Sequence, residues 1–248
     1  MMLKQSNLKR PREVIIDTDF NFFSDANGGD PDSTSPTLRK YHKILWSKPL
    51  PPNGHLFDLH DNKKSTYLYH KSNLGEFFLG SDAITHSYKD HKRKQWLTEQ
   101  IPKDVSELFD AGSTIGAYII FPNKRIDKKF TINQARGVNR LIDDRFDLTL
   151  ECIRLFYLRE KSPLYETLLR YKNFFDLLGN FMGYVHFFLL DDLVDENYQV
   201  KFYLPFDGFR TRPAFSDVNQ YLLYKNGVMN FIRSRNKRIE NYVKSSES

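Results

Sequence analysis

The residues of this 248-residue chain that could do chemistry are carboxylates and arginines at close spacing. Asp17 and Asp19 stand one residue apart after the apolar run 14–16, and Asp30 and Asp32 follow in the loop GGDPD. Aspartates placed after a strand can hold a hard cation, which takes several oxygen ligands at once. Asp17, Asp30 and Asp32 are therefore the candidate metal ligands. Farther along, Asp143, Asp147 and Glu151 fall at i, i+4 and i+8 with Arg145 among them. Carboxylates stacked in that way on one helix repel each other unless a cation or an arginine lies across them. Arg145, Asp147 and Glu151 are the candidate catalytic group of a metal-dependent hydrolase or transferase, with Arg145 stabilising negative charge. Simpler readings exist for both sets: aspartates cap turns, and runs of charge usually form a solvated face.

The neighbours of Asp17 and Asp19 test the metal reading. Phosphatases of the haloacid-dehalogenase type want Thr or Val two residues after the second aspartate, where Asn21 stands. Nucleoside hydrolases want Asp-Thr-Asp-Pro-Gly, and here Phe20 and Asn21 replace the last two. Neither pattern is met, so a strand end whose aspartates cap the next turn is the simpler expectation. The chain contains no phosphate-binding P-loop, no GxGxxG, no HExxH, no CxxC and no GxSxG. Its histidines are scattered without ligand spacing, and each reads as a surface or packed residue.

The elements that must carry these residues follow from periodicity. A first strand is expected at 14–16, then an irregular loop over 24–36. A helix should begin with Ser35 as N-cap and Pro36 at its first position, and the prolines of PLPPNG end it. Period-two runs over 55–84 suggest a small antiparallel sheet, and 113–122 reads as the most buried strand. A long helix is expected over 134–159, others over 163–178, 181–193 and 217–243, with a strand at 199–206. Strands early and helices late give an α+β fold: a small, mostly antiparallel sheet in the N-terminal half packed on long C-terminal helices.

On a continuous helix over 134–159, Arg140, Asp143, Asp144, Asp147, Glu151 and Arg154 share one arc, with Arg140–Asp144 and Glu151–Arg154 as ion pairs. Arg145 breaks the pattern by projecting into the apolar arc. A buried guanidinium cannot stay unpaired without a cost of several kcal/mol, so an internal counter-ion is expected, with Asp17 or Asp30 as candidates. Cys152 lies on the apolar side and reads as a buried, inert thiol.

The net charge of +6 and the pI near 9.2 suit an anionic partner, nucleic acid or a phosphate-bearing nucleotide. Arg39, His42, Arg125, Arg136 and Arg140 are the candidate binding residues. Arg233, Arg235, Lys237 and Arg238 add a basic stretch near the C-terminus, where cations also favour the helix dipole. One cysteine excludes an intramolecular disulfide and agrees with a reducing compartment. No run approaches the length of a membrane span, so a soluble, cytoplasmic protein is expected. Cofactors and oligomeric state leave no mark in the sequence. The aromatic content, 21 Phe and 14 Tyr, would equally suit a structural or protein-interaction domain.

Two blocks, DPDSTSPTLRKYHKILWSKPLPPNG and FPNKRIDKKFTINQARGVNRLIDDRFDLTLECIR, together resemble a family of uncharacterised bacterial and phage-associated proteins that share a domain of unknown function. The resemblance runs from the first strand to the last helix. It implies a single domain, 13–244, and no activity. Residues 1–12, polar and basic without periodicity, read separately as a mobile basic tail that cannot reach a core and that folding does not need.

Overall fold

The computed structural model describes residues 16–61, 67–85, 88–89 and 91–246. The basic tail 1–12 and most of the expected first strand lie outside them. Ile16 is buried but belongs to no strand.

The N-terminal half is α+β as expected. A short turn of helix, α1 (Pro31–Thr34), leads into α2 (Pro36–Trp46), and Ser35 caps α2 by accepting the Leu38 N–H at 3.1 Å. Leu38, Tyr41, His42, Leu45 and Trp46 form its buried face. After α2, β1 (Lys48–Pro49) pairs antiparallel with β2 (Leu56–Phe57). The main sheet is antiparallel in the order β3 (His60–Asp61), β4 (Leu68–Ser72), β5 (Gly75–Ala83), β6 (Tyr118–Pro122). Ser81 pairs with Ile120 and Asp82 with Ile119 in its register. Every residue of β6 is buried, as its apolar run predicts.

Between β5 and β6 run α3 (Gln95–Thr98) and α4 (Pro102–Ala111). The later helices are α5 (Ile132–Val138), α6 (Phe146–Tyr157), α7 (Tyr165–Arg170), α8 (Lys172–Asp176), α9 (Phe181–Phe187) and α10 (Val218–Ser246). Tyr221, Tyr224, Val228, Ile232 and Ile239 line the buried stripe of α10 at helical spacing. This helix comes close to the chain entering β6: a Cβ on Gly116 would sit 2.6 Å from the Ile232 carbonyl oxygen. Asn236 accepts the Gly116 N–H at 2.6 Å, and Arg235 donates to the carbonyls of Gly116, Tyr118 and Phe188.

Three expectations fail in informative ways. The helix expected over 134–159 is two helices, α5 and α6, joined by an elbow in which Asp143 and Asp144 have φ of 48° and 64°. Asn139 caps the end of α5, and Asn and Asp tolerate the left-handed conformation better than other non-glycine residues. The strand expected over 199–206 is reduced to one antiparallel bridge between Val194 and Val200. The helices expected over 163–178 and 181–193 are shorter pieces separated by turns. Among the described residues, no helix is long and apolar enough to cross a membrane.

Candidate functional site

Asp32 owes its position to a chain of caps. Asp30 accepts the Asp32 N–H at 3.2 Å at the start of α1, and Asp25 takes the Ser35 hydroxyl at 2.5 Å and the Thr37 N–H at 3.0 Å. The loop so pinned lays α1 against β5. One Asp32 oxygen, Oδ1, is buried without a hydrogen-bond partner. Burial pushes the carboxyl up to about 6, and the Asp30 charge adds to this, while bonds from the Ser81 hydroxyl and the Ala83 N–H and the charge of Arg136 pull the other way.

The proton arrangement behind Asp32 follows from donor inventory. The Trp46 indole N–H can only donate, and it reaches His42 Nδ1 at 2.9 Å. His42 therefore carries its proton on Nε2, which faces the Ser81 hydroxyl oxygen at 3.1 Å. That bond leaves the Ser81 proton for another acceptor, and both Asp32 and Tyr67 are within its reach. Burial and the nearby Arg235 lower His42 to about 3, so the imidazole stays neutral.

Asp32 lines a cleft of about 590 Å³. Asp30 shares its wall, Lys89 and His91 also line it, and Phe23 and Phe109 add ring faces with centroids 4.7 Å apart. The Lys89 ammonium sits 4.6 Å from the Phe109 ring centre. Burial and the adjacent Arg93 lower His91, whose Nε2 lies 3.0 Å from an Arg93 nitrogen. Carboxylates, cations and aromatic rings thus converge on one concave space, the usual composition of a small-molecule site.

On the other face of β5 the charges are closed on themselves. Arg136 is fully buried and donates to Asp82 Oδ2 at 2.9 Å, to the Ala83 carbonyl at 2.8 Å, to the Asp144 carbonyl at 2.9 Å and to Thr149 Oγ1 at 3.3 Å. It clasps the elbow between α5 and α6 to the sheet. Burial raises Asp82, and Arg136 opposes that rise. Arg145 stands at the N-cap of α6 and bonds Asp147 through Nε at 3.1 Å and through Nη2. Asp147 also accepts the Tyr203 N–H at 3.0 Å.

The sequence candidates are therefore dispersed. Asp17 caps its own turn through the Asp19 N–H at 3.0 Å, and only Asp30 and Asp32 of the proposed metal set meet. Among the described residues no three His, Cys, Asp or Glu side chains are grouped to hold a metal ion. Arg145 has an internal partner as expected, but it is Asp147, two residues on, and neither Asp17 nor Asp30. The arc read as a solvated face is largely interior, with Asp143, Asp147 and Glu151 buried, because the elbow turns the two halves differently. Glu151 does pair with Arg154, at 2.8 Å, whereas Asp144 faces Arg136 at 3.5 Å in place of Arg140.

Of the candidate anion-binding residues, His42 and Arg136 are interior. Arg39 lies 5.3 Å over the Tyr67 ring, Arg125 bonds Gln134 at 3.1 Å, and Arg140 is exposed. The basic stretch in α10 is likewise split, since Arg235 is fully buried and Arg238 bonds Asp192 at 3.0 Å. Cys152 is buried, and burial pushes its thiol up to about 12. Ser81, Asp82, Lys89 and His91 escaped the sequence reading. The available signal was the polar pair Ser81-Asp82 at the end of the strand-like run GEFFLG.

A family model, described as a family of unknown function (DUF6994), matches residues 16–239, and the chain belongs to that family. No curated protein and no solved structure matches it.

Proposed function

We propose that the cleft beside Asp32 binds a small anionic ligand of the nucleotide class and that Asp32 exchanges a proton with it. The observation that carries this reading is the buried Asp32 Oδ1, which has no hydrogen-bond partner although its carboxyl lines a cleft that it shares with Asp30, Lys89 and His91. A buried oxygen left so costs stability, and such costs are kept where a ligand repays them. The ligand presents a donor, such as a base amine, to Asp32. Its anionic end lies toward Lys89 and His91, and its ring lies against Phe23 or Phe109.

A carboxyl near 6 is suited to give and take a proton close to neutrality, which supports acid–base work over simple capture. Calorimetric titration with the four ribonucleoside monophosphates between pH 5 and 8 tests the reading. At least one should bind, with an inflection near pH 6 that Asp32→Asn removes and with affinity weakened about tenfold by Lys89→Ala. If no mononucleotide binds, or if Asp32→Asn binds with the same pH profile, the cleft does not have this role.

A further inference from the structure

Next to His91, which touches Arg93, lies an unusual meeting of charges. Asp143 is buried in the elbow, and Lys94 reaches its Oδ2 at 2.6 Å. Two further cations converge on Oδ1: Arg93 at 3.6 Å and Arg212 at 3.5 Å. One carboxylate needs one counter-charge, and here it has three. Among the described residues the neighbouring acids do not absorb the excess, because Asp144 and Asp82 both face Arg136. Both arginines keep nearly half of their side-chain surface exposed, 45% and 42%. At such distances neither holds Asp143 in the short bidentate bonds that guanidinium and carboxylate form when they are committed to each other.

We propose that Arg93 and Arg212 are the seat of a phosphoryl group, with Asp143 as the fixed post that spaces the two guanidiniums. Two planar forks aimed at one point match the oxygens of a phosphate, and Lys94 keeps Asp143 neutralised when the arginines turn to the ligand. His91, which touches Arg93 at 3.0 Å and lines the cleft, joins the seat to the Asp32 site. The identity of the remaining ligand rests on the cleft reading above. The seat itself can be examined with inorganic pyrophosphate alone.

Thermal unfolding is followed in pyrophosphate and in sodium chloride of equal ionic strength, for the wild type, Arg93→Gln, Arg212→Gln, the double variant and Asp32→Asn. The wild type should melt several degrees higher in pyrophosphate, each single variant should lose most of that rise, and the double variant all of it. Asp32→Asn should keep the rise in full, so that failure of the seat and failure of the acid–base reading are told apart. Isothermal titration of each variant gives the same comparison at constant temperature, where about tenfold weaker binding is expected from a single substitution. No rise in the wild type beyond the chloride control, or an equal rise in the double variant, overturns the proposal. So does tight binding of an oligonucleotide lacking terminal phosphates by a wild type that ignores pyrophosphate.

Discussion

The two faces of β5 treat buried charge in opposite ways. On one face Arg136 meets Asp82, two backbone carbonyls and Thr149, so that its donors are spent within the fold. On the other, Asp32 keeps one buried oxygen unpartnered beside an open cleft. Burial alone therefore does not mark a site, since the more deeply buried charge is the one that only holds the scaffold. The distinguishing feature is whether the hydrogen-bonding capacity of the charged group is closed inside the protein.

The largest expected effect lies on the closed face. Arg136→Met strands Asp82 and releases the elbow, and should cost about 3–5 kcal/mol of stability in urea unfolding. Arg145→Met leaves Asp147 buried but still bonded to the Tyr203 N–H, so its cost should fall near 3 kcal/mol, the lower end of the same range. Neither loss should be restored by phosphate or nucleotide. A ligand that rescued Arg145→Met, or a melting curve that the substitution left unchanged, would move Arg145 from scaffold to site.

On the open face the sign reverses. The folded Asp32 carboxyl titrates near 6 against 3.8 for an unperturbed carboxyl, so the folded chain binds more protons between these values. Stability from this group is present below about pH 4, declines as pH rises to 6 and stays lower above it. Asp32→Asn should therefore stabilise the protein at pH 7.5 by about 1–3 kcal/mol and flatten the decline between pH 4 and 6. The same variant loses the binding transition proposed above. Destabilisation at pH 7.5 would mean that the carboxylate is satisfied in a way its unpartnered oxygen does not suggest.

What could be read from sequence, and what could not, is a matter of range. Ser35 and Pro36 announce α2 because capping is decided within four residues, and the β4–β5 hairpin shows in the alternation of its apolar residues. The elbow between α5 and α6 was invisible because its cause is local but ambiguous. Asp143 and Asp144 are acceptable in a helix and equally at ease at positive φ, and it is Arg136, reaching Asp82 across 54 positions, that selects the second. Once the elbow is missed, the helical wheel over 134–159 assigns Asp147 and Glu151 to solvent and Arg145 to the wrong counter-ions. The cleft was half legible for a related reason. Asp30 and Asp32 stood out as carboxylates, but their convergence with Lys89 and His91 depends on where α1 docks on β5.

The smallest expected effect concerns the aspartates at the start of the described chain, where a metal site and a turn make different demands. Asp17 accepts one exposed N–H, that of Asp19, and its own N–H is held by the Tyr41 hydroxyl at 2.9 Å, a bond that does not involve the carboxylate. Removing the side chain therefore deletes one solvent-accessible hydrogen bond and leaves the anchoring of the segment intact. Asp17→Ala should cost less than about 1 kcal/mol. Calcium or magnesium at millimolar concentration should shift the melting temperature of wild type and variant equally, because a ligand that binds only the folded wild type would raise its melting temperature alone. A cation-dependent gain confined to the wild type would restore the hard-metal reading of Asp17. Equal behaviour leaves these residues as the cap of a turn, with the chemistry farther on, where Asp32 meets the sheet.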